Sequence, residues 1–340
     1  MSRHSWTPQT IQHALLLAAH VPFEQAAQVV ELLTGMPLSG SSLHRLVQEY
    51  GGRLVEQQAA EAEATLNLPP VEAEGEAWRA VPEPDSEVMS VSMDGAMIHL
   101  REEGWKEVKT VAISALEPED GVADEPASGQ GRGRLTRHSY RAGLWPAAVF
   151  TNQQWAEATR RGLEKARRIV SVNDGALWIW AIVDMCYAPG CIEILDWWHA
   201  MQKLWLIARV LFGEGNEIGQ TWVARYKDYL WSGRLRPLFH DIRQRYPRGQ
   251  PWPDEVRQAV GYFFANRRRM RYRWFRQQGY PVGSGTVESA CKVVVEGRLK
   301  QGGMLWSRTG AQAMLALRST VLSDRWDKVW PTLSGHSKVA

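Results

Sequence analysis

The run from Arg168 to Gly175 constrains the fold of this chain more than any other stretch. It reads Arg-Ile-Val-Ser-Val-Asn-Asp-Gly and shows no polar alternation until its last residues. A strand of this kind is expected to be buried on both faces, as in sheets that carry helices on each side. Asp174 is therefore predicted to lie at the carboxyl end of a buried strand, where open α/β sheets place their functional sites.

The segments around this strand predict a sheet with helices between its later strands. Three antiparallel strands are predicted upstream, with Asp94 on the first of them: residues 88–94, 96–100 and 105–114. The later elements are predicted as helix, helix and strand at residues 153–168, 176–187 and 191–195, with the Arg168 strand after the first helix. Asp196 then opens a long helix, so the order is three strands, helix, strand, helix, strand, helix.

Composition bounds the class of protein. With 340 residues, 44% of them hydrophobic, the chain can bury one substantial core with a smaller unit attached. The net charge is only +3, but the positive charge is densest in residues 267–276, which indicates a partner that carries phosphates. Three cysteines without a Cys-x-x-Cys pair, no signal peptide and no apolar run long enough for a bilayer predict a reducing, cytoplasmic setting.

The amino-terminal residues 10–52 have helical periodicity that is interrupted at residues 34–39. A helix ending at Gly35, a short turn and a polar-faced helix starting after Ser39 match the helix-turn-helix layout, in which the second helix enters the major groove of DNA. The exposed readers of DNA on that helix would be Ser41, Ser42, His44, Arg45 and Gln48. An ordinary small helical bundle is the alternative.

Three further segments differ from the core in composition. Residues 56–87 are rich in Ala, Glu and Pro, begin as a continuing helix and predict a linker. Residues 117–140 are rich in Gly and predict either a solvated loop or a loop that contacts DNA. The basic candidates in that loop are Arg132, Arg134 and Arg137. Residues 201–280 are helical with many aromatic side chains, and they predict an all-α insertion.

Three separate elements each carry an acidic residue next to a glycine or after a Gly-rich turn. Asp94 and Asp174 each end or interrupt an apolar run and are followed by Gly, and Glu288 lies in the first turns of a helix after a Gly-rich turn. Two-metal phosphoryl transfer requires such acids, because they hold two divalent ions about 3.5–4 Å apart. Mg²⁺ favours carboxylates and phosphate oxygens, so no His or Cys cage is expected. For Glu288 alone, a favourable interaction with the helix dipole is the alternative.

Five motifs follow one another along the chain: Ser92-Met-Asp-Gly95, Asn173-Asp-Gly175, Leu195-Asp-Trp-Trp-His199, Gly283-Ser-Gly-Thr-Val-Glu-Ser-Ala-Cys-Lys292 and Arg298-Leu-Lys-Gln-Gly-Gly-Met-Leu-Trp306. They resemble the motifs of bacterial insertion-sequence transposases of the DDE type, in particular the Kra group related to the Mutator-like superfamily. The resemblance covers about residues 88 to 330. It implies an RNase H-like fold with an α-helical insertion before the Glu, and it makes Asp94, Asp174 and Glu288 the metal-binding triad.

The resemblance also implies that Asp196 and His199 form an acid-x-x-His element close to the active site. For Asp196 a helix N-cap is the alternative, and a lone His is more often structural. The implied cofactor is Mg²⁺, as two ions, with Mn²⁺ as a substitute. The implied partners are double-stranded DNA, as element ends and target, and further copies of the chain in a homodimer or larger homo-oligomer. The cytoplasmic location would be at the nucleoid.

The predicted fold class is thus α/β, an RNase H-like catalytic core with an all-α insertion, preceded by a helix-turn-helix module. The predicted division is as follows: 1–55 for the DNA-binding module, 56–87 for the linker, 88–200 and 281–330 for the two parts of the core, 201–280 for the insertion and 331–340 for a tail.

Two basic regions outside the amino-terminal module supply candidate contacts to DNA. In the first region, residues 267–276, guanidinium groups that could neutralise phosphates stand beside aromatic rings that could stack on bases. Some of these arginines would face solvent in any helix. Its candidates are Arg267, Arg268, Arg269, Arg271, Arg273, Trp274 and Arg276. In the second, Lys292, Arg298 and Lys300 are predicted to clamp a phosphate. Regular helical spacing would put Glu288, Lys292 and Glu296 on one face, so an ion pair of Lys292 is the alternative.

Three functions are compatible with these features. The first is a transposase that binds the inverted ends of its element, hydrolyses a phosphodiester to free a 3′-hydroxyl and uses that hydroxyl to attack target DNA. The second is an RNase H-like nuclease or junction resolvase that uses the same acids without strand transfer. The third is a domesticated DNA-binding protein, against which the intact triad argues. No sequence feature separates strand transfer from simple cleavage.

Overall fold

The computed structural model describes residues 6–67, 81–118, 133–247, 249–283 and 285–335. The strands are β1 (Val88–Leu100), β2 (Gly104–Pro118), β3 (Gly133–Gly143), β4 (Arg168–Asn173) and β5 (Cys191–Leu195). The helices are α1 (Pro8–His20), α2 (Phe23–Thr34), α3 (Gly40–Leu66), α4 (Ala147–Arg160), α5 (Leu177–Tyr187), α6 (Trp197–Phe212), α7 (Glu217–Trp231), α8 (Arg236–Arg245), α9 (Asp254–Ala265), α10 (Tyr272–Gln277), α11 (Gly285–Ala290), α12 (Gly297–Leu299), α13 (Arg308–Leu322) and α14 (Trp326–Leu333). A π-helical segment (Cys291–Glu296) joins α11 to α12.

The five strands form one mixed sheet in the order β3-β2-β1-β4-β5. Neighbouring strands are antiparallel from β3 to β1, whereas β4 pairs in parallel with β1 and with β5. This arrangement follows from the connections, because short links can join antiparallel strands while parallel strands need a crossover such as α5. The predicted α/β class and the predicted order of elements are confirmed.

The predicted bounds of the first strands are wrong. Residues 88–94 and 96–100 belong to the single strand β1, because Gly95 pairs in register with Lys109 of β2 instead of turning the chain. The third antiparallel strand is β3, most of which falls within residues 117–140, the segment predicted as a loop. β3 is an edge strand and pairs only with β2, so its sequence lacks the strong apolar pattern of an interior strand.

β1 changes its apolar face at Gly95. Successive side chains of a strand point to opposite faces, so odd and even positions meet different neighbours. The buried apolar residues are odd-numbered before Gly95 and even-numbered after it: Met89, Val91 and Met93 join one core, and Ala96, Ile98 and Leu100 join another. Asp94 lies at this changeover, on the even face, where the earlier residues Ser90 and Ser92 are small and buried.

Each face of the sheet carries its own apolar core. The first core is supplied by helices between α4 and α10, with Phe150 and Trp197 among its fully buried side chains. The second core contains residues of the amino-terminal helices, the π-helical segment and α13, such as Leu15, Val294 and Leu315. The amino-terminal helices therefore share a core with the sheet.

Helix α3 runs across the predicted boundary between the DNA-binding module and the linker. It continues without interruption to Leu66. Glu61, which falls within the predicted linker, accepts hydrogen bonds from Arg141 of β3 and, at 3.2 Å, from Arg325. The first residues of the predicted linker are thus a structural part of the protein, while residues 68–80 lie outside the described chain.

The described chain between β5 and Gly283 contains only helical elements and turns, as predicted for residues 201–280. Helix α6 packs against both α7 and α9, and this links the helical region to the strand end that precedes α6. In the described ranges, no helix combines the length and the apolar character that a bilayer span would need.

Gly51 provides a test of whether α3 is an integral part of the fold. A Cβ atom added at Gly51 would lie 2.6 Å from the carbonyl oxygen of Ala313 on α13, and backbone cannot easily yield. Gly51→Ala should therefore lower the free energy of unfolding by about 1–3 kcal/mol. The neighbouring Gly52→Ala is the control, because its Cβ meets nothing within 4 Å. That change should be neutral or should stabilise α3 by up to about 1 kcal/mol.

Urea unfolding followed by circular dichroism and by tryptophan fluorescence measures both variants. One shared transition at a lower midpoint is expected for Gly51→Ala. Wild-type stability, or a separate early transition for the helical signal alone, would show that α3 and α13 do not fold as one unit.

Candidate functional site

Asp94 is half-buried and lies close to a second acid, Asp174. Its Oδ1 accepts a hydrogen bond of 2.7 Å from the Gly95 N–H. The pKa of Asp94 is raised to about 6, chiefly by burial and also by the charge of Asp174, although the Gly95 N–H, Cys291 and His199 lower it. Neither a lysine nor an arginine is among these main causes.

The fully buried carboxylate of Glu157 shows what compensation looks like in the same fold. Burial also opposes ionisation of Glu157 on α4, but Arg160, Arg141 and Arg325 lower its pKa to about 2. No arginine or lysine is among the main causes of the Asp94 shift, so a cation from outside the chain would stabilise its charged form. Oxygen ligands of this kind suit Mg²⁺ or Mn²⁺.

Asp174 follows the last residue of β4, and Asn173 fixes this strand end against β1. The Asn173 Oδ1 accepts a hydrogen bond of 2.7 Å from the backbone N–H of Met93. Asp174 in turn accepts a hydrogen bond of 2.9 Å from the N–H of Ala176, just before α5 begins. These bonds hold Asp94 and Asp174 on neighbouring strands, where their charges repel each other.

Asp196 and His199 meet in the first turn of α6. Asp196 is fully buried and is the N-cap of α6, as the alternative interpretation predicted. Its Oδ1 accepts the His199 N–H at 2.7 Å and lies 3.0 Å from the His199 Nδ1. The hydrogen bond to Asp196 raises the pKa of His199, burial lowers it, and the charges of Asp196, Asp174 and Glu288 raise it again. The cap therefore also holds the imidazole among the carboxylates.

Glu288 of α11 reaches the same imidazole from a distant part of the chain. Its Oε1 lies 3.9 Å from the His199 Nδ1. Ligand atoms of Asp196, His199 and Glu288 all lie within 4.8 Å of one another, so these three side chains could hold a metal ion. The other two predicted metal-binding residues lie near enough for their charges to act on this region. Asp174 raises the pKa of both Asp94 and His199, and His199 lowers the pKa of Asp94.

The helix that carries Glu288 is not a regular α-helix, so the single face predicted for Glu288, Lys292 and Glu296 is wrong. Residues 291–296 are π-helical. The buried guanidinium of Arg318 accounts for this, because it donates to the carbonyl oxygens of Val293 and, at 2.7 Å, Val294. An inserted side chain of this kind widens the helical ladder.

Two residues at the site were missed by the sequence analysis. Tyr262 of α9 packs against Gly175, because a Cβ added at Gly175 would be 2.0 Å from the Tyr262 ring. Cys291 lies near Asp94 and lowers the pKa of that carboxyl. The glycine after Asp174 was the available signal for the first contact, and the position of Cys291 three residues after Glu288 was the signal for the second.

The amino-terminal candidates for DNA contact differ in exposure. Helix α2 ends at Gly35, which adopts a left-handed conformation, and Ser39 caps α3, as predicted. Ser41 and Arg45 are exposed, but Ser42 and His44 are only partly so.

His44 in particular turns inward. It packs edge-on against Phe23 with ring centroids 5.1 Å apart. Burial lowers the pKa of His44, and the charges of Arg101 and Arg298 add to the effect. The prediction of His44 as a fully exposed reader of DNA is therefore wrong.

The predicted loop residues lie partly on β3. Arg134 and Arg137 are exposed, and Arg137 donates to Glu117 at 2.6 Å and to the Asp85 carbonyl at 2.7 Å. These arginines belong to a strand instead of a loop, because residues 133–143 pair with β2. Arg132 lies outside the described residues.

The arginine run from Arg267 to Arg276 divides into two groups. Arg269 pairs with Glu193 and stacks over Trp180, and Arg276 lies 3.9 Å above the centre of the Trp231 ring. These two arginines brace the fold, so their assignment to DNA is corrected. The exposed members of the run are Arg267, Arg268, Arg271, Arg273 and Trp274.

Arg298 is also corrected. Its side chain is fully buried, its Nε donates a hydrogen bond of 3.0 Å to the Ala18 carbonyl of α1, and its guanidinium lies over the rings of Phe23 and Trp306. Burial lowers the pKa of Arg298 to about 10. A phosphate clamp at Arg298 is excluded in this conformation, because the group contacts protein on all sides.

The two lysines near Arg298 remain accessible. Lys292 is exposed, and Lys300 is exposed but pairs with Glu296 at 2.9 Å. Glu296 therefore pairs with Lys300.

Comparison with known proteins finds no match for the chain. No protein-family model matches the chain, and no curated protein has a similar sequence. The chemistry of the site therefore has to be argued from its own geometry.

The pKa of Asp94 leads to a test by pH. A carboxyl whose folded pKa, about 6, exceeds its ordinary 3.8 costs stability as the pH rises through this interval, and the full cost is present above pH 6. Without divalent ions, Asp94→Asn should therefore stabilise the protein at pH 8, by about 1–3 kcal/mol. The gain should shrink as the pH falls towards 4.

Urea unfolding at several pH values in EDTA measures this difference, with Glu63→Gln as the control because it removes an exposed carboxyl from α3. Added Mg²⁺ or Mn²⁺ should stabilise the wild type more than Asp94→Asn. A variant that is less stable than the wild type at pH 8 in EDTA would contradict the uncompensated charge.

Proposed function

We propose that this chain is a DNA transposase of the DDE type with an RNase H-like core, using Asp94, Asp174 and Glu288 to hold divalent ions. The observation that carries the proposal is the convergence of acids from β1, the end of β4 and α11 around His199, with no lysine or arginine among the main causes of the Asp94 pKa shift. The mixed sheet with helices on both faces supports the RNase H-like fold that the resemblance implies.

Bound Mg²⁺ or Mn²⁺ would supply Lewis acidity and an activated oxygen nucleophile. The residues of the chain would bind the ions, orient His199 and close one side of the site. Asp94, Asp174 and Glu288 would bind the ions, and the positive charge of the ions would favour the ionised form of Asp94, whose pKa is raised. Asp196 orients His199 through Nδ1, so Nε2 is the ring nitrogen that can donate to a phosphate oxygen. Tyr262 closes the site on the side of Gly175.

Two exposed basic surfaces support binding to DNA. At the start of α3, Ser41 and Arg45 stand at the solvent end of the helix-turn-helix layout. Beside the helical region, a cavity of about 570 Å³ is lined by Arg267, Arg268, Arg271 and Trp274, together with the acidic residues Asp184 and Glu193. Glu193 is paired with Arg269. We assign element ends to the first surface and the DNA near the cleavage point to the second, with two or more copies of the chain acting together.

Neutral isosteres of the triad should separate binding from chemistry. Asp94→Asn, Asp174→Asn and Glu288→Gln each remove the charge of an ion ligand at nearly constant shape, so each should abolish Mg²⁺-dependent cleavage while DNA binding persists. Glu296→Gln is the control on the same helical stretch, because Glu296 pairs with Lys300. Labelled element ends, Mg²⁺ and a target plasmid report cleavage and joining together.

Each outcome of this assay has a distinct meaning. Cleavage and joining in the wild type would support a transposase, and cleavage without joining would identify a nuclease or resolvase. Near-wild-type cleavage by one of the three variants would remove that residue from the triad. Absence of cleavage by the wild type with either Mg²⁺ or Mn²⁺ would contradict the proposed function.

The division of the arginine run leads to a second prediction. Replacing Arg267, Arg268 and Arg271 by Gln should lower the slope of log affinity against log salt for duplex DNA by about 0.9 for each phosphate that is no longer neutralised. Arg167→Gln is the control, because this exposed arginine pairs with Glu87.

Band shifts over a salt series, with thermal unfolding as a check of the fold, provide the measurement. An unchanged slope in a folded triple variant would show that the duplex runs elsewhere. Replacing Arg269 or Arg276 should instead lower stability, because both are tied to internal aromatic rings and acceptors.

A further inference from the structure

A second basic cleft lies on the helical region, between α8 and α9. It encloses about 670 Å³, and the residues that give it its chemistry are Arg236, Phe239, Arg243, Trp252, Arg257 and Phe264. The rings of Phe239 and Phe264 stand 6.4 Å apart and form one wall. Phe264 is 58% exposed, which is unusual for a phenylalanine in a folded helix. The cleft thus offers flat apolar surfaces to a ligand.

The charge around these rings is positive. Arg236, Arg243 and Arg257 are exposed at the cleft, and no acidic side chain of the described residues lines it. Arg257 pairs with Asp254 at 2.6 Å, and a pair as exposed as this contributes little to stability. Aromatic faces beside guanidinium groups match a nucleotide, because the base can stack and the phosphates can be neutralised.

The cleft is continuous with the proposed DNA surface. The Arg267 guanidinium lies 4.5 Å above the Phe264 ring, and Arg267 also lines the cavity with Arg268 and Arg271. Helix α9 carries Phe264 towards the cleft and Tyr262 towards Gly175 beside Asp174. The cleft and the carboxylates thus flank one helix, whose diameter with side chains is about 10 Å.

We propose that this cleft binds an unpaired nucleotide of the DNA strand that leaves the cleavage site, with its base stacked on Phe264. The assignment rests on the proposed function for its placement near the reaction. Binding in the cleft differs from duplex binding because it requires an unpaired base, and only an unpaired base is accessible for stacking. Flared or nicked ends would therefore bind this surface better than intact duplex.

Gly261 allows the cleft to be filled without disturbing the fold. It lines the cleft, and a Cβ added there meets nothing within 4 Å. Gly261→Leu should therefore occupy the cleft and leave all charges unchanged, while Gly261→Ala makes the same gain in helix propensity and leaves the cleft open. Phe264→Ala removes the stacking surface itself, and Trp205→Ala is its control because Trp205 is exposed in a different groove.

Binding is measured in EDTA with a fluorescent oligothymidylate and with an intact duplex. Gly261→Leu and Phe264→Ala should each reduce the affinity for the oligothymidylate at least about fivefold, with no comparable reduction for the duplex. Gly261→Ala and Trp205→Ala should bind both ligands like the wild type. An oligothymidylate carrying 5-iodouracil should cross-link on irradiation to a peptide that contains Phe264 or Trp252.

Wild-type oligothymidylate affinity in Gly261→Leu and Phe264→Ala, or cross-links confined to other peptides, would overturn the assignment. So would equal reductions for duplex and single strand, since these indicate a general electrostatic effect. The binding assay needs no metal and no cleavage. Failure of the proposed function appears instead as a wild-type protein that cleaves no DNA end, so the two outcomes are distinguishable.

Discussion

The half-buried carboxylate of Asp94, whose pKa is raised with no lysine or arginine among the main causes, is the constraint on which the site depends. The same fold neutralises Glu157 with three arginines, so it has the means to satisfy a buried acid. At Asp94 the main neighbouring charge is instead a second acid, Asp174, which lies across the β1–β4 pair and raises the pKa of Asp94. An arrangement that lowers stability persists where function requires it. The uncompensated charge is therefore the strongest internal argument that the site receives a cation.

Buried arginines connect this site to the amino-terminal helices. Arg318 holds the carbonyls of the π-helical segment and also donates to the Ala19 carbonyl at the end of α1. Arg298 does the same for Ala18. Cations suit the carboxyl end of a helix, where carbonyl groups lack partners within the helix. The segment that follows Glu288 is thus shaped by contacts with the first helix of the chain.

Strong local patterns account for the parts of the fold that the sequence could predict. β4, α5 and β5 are mostly apolar, and Asp196 stands before a long helical pattern that it caps. Where long-range contacts decide the structure, local patterns mislead. Gly95 continues a strand because β2 supplies a partner, and Arg298 is buried because distant backbone carbonyls and aromatic rings receive it. A sequence window contains neither of these partners.

The length of α3 fixes how its amino-terminal face is rotated relative to the rest of the fold. It is a single helix of 27 residues, so Arg45 and Glu61 lie about 24 Å apart along one rigid element. Each residue added between them would turn one end by about 100° relative to the other. The helix therefore fixes the rotation, about the α3 axis, of the surface around Arg45 relative to the ionic network at Glu61. An insertion that leaves every contact residue intact would still misalign the two.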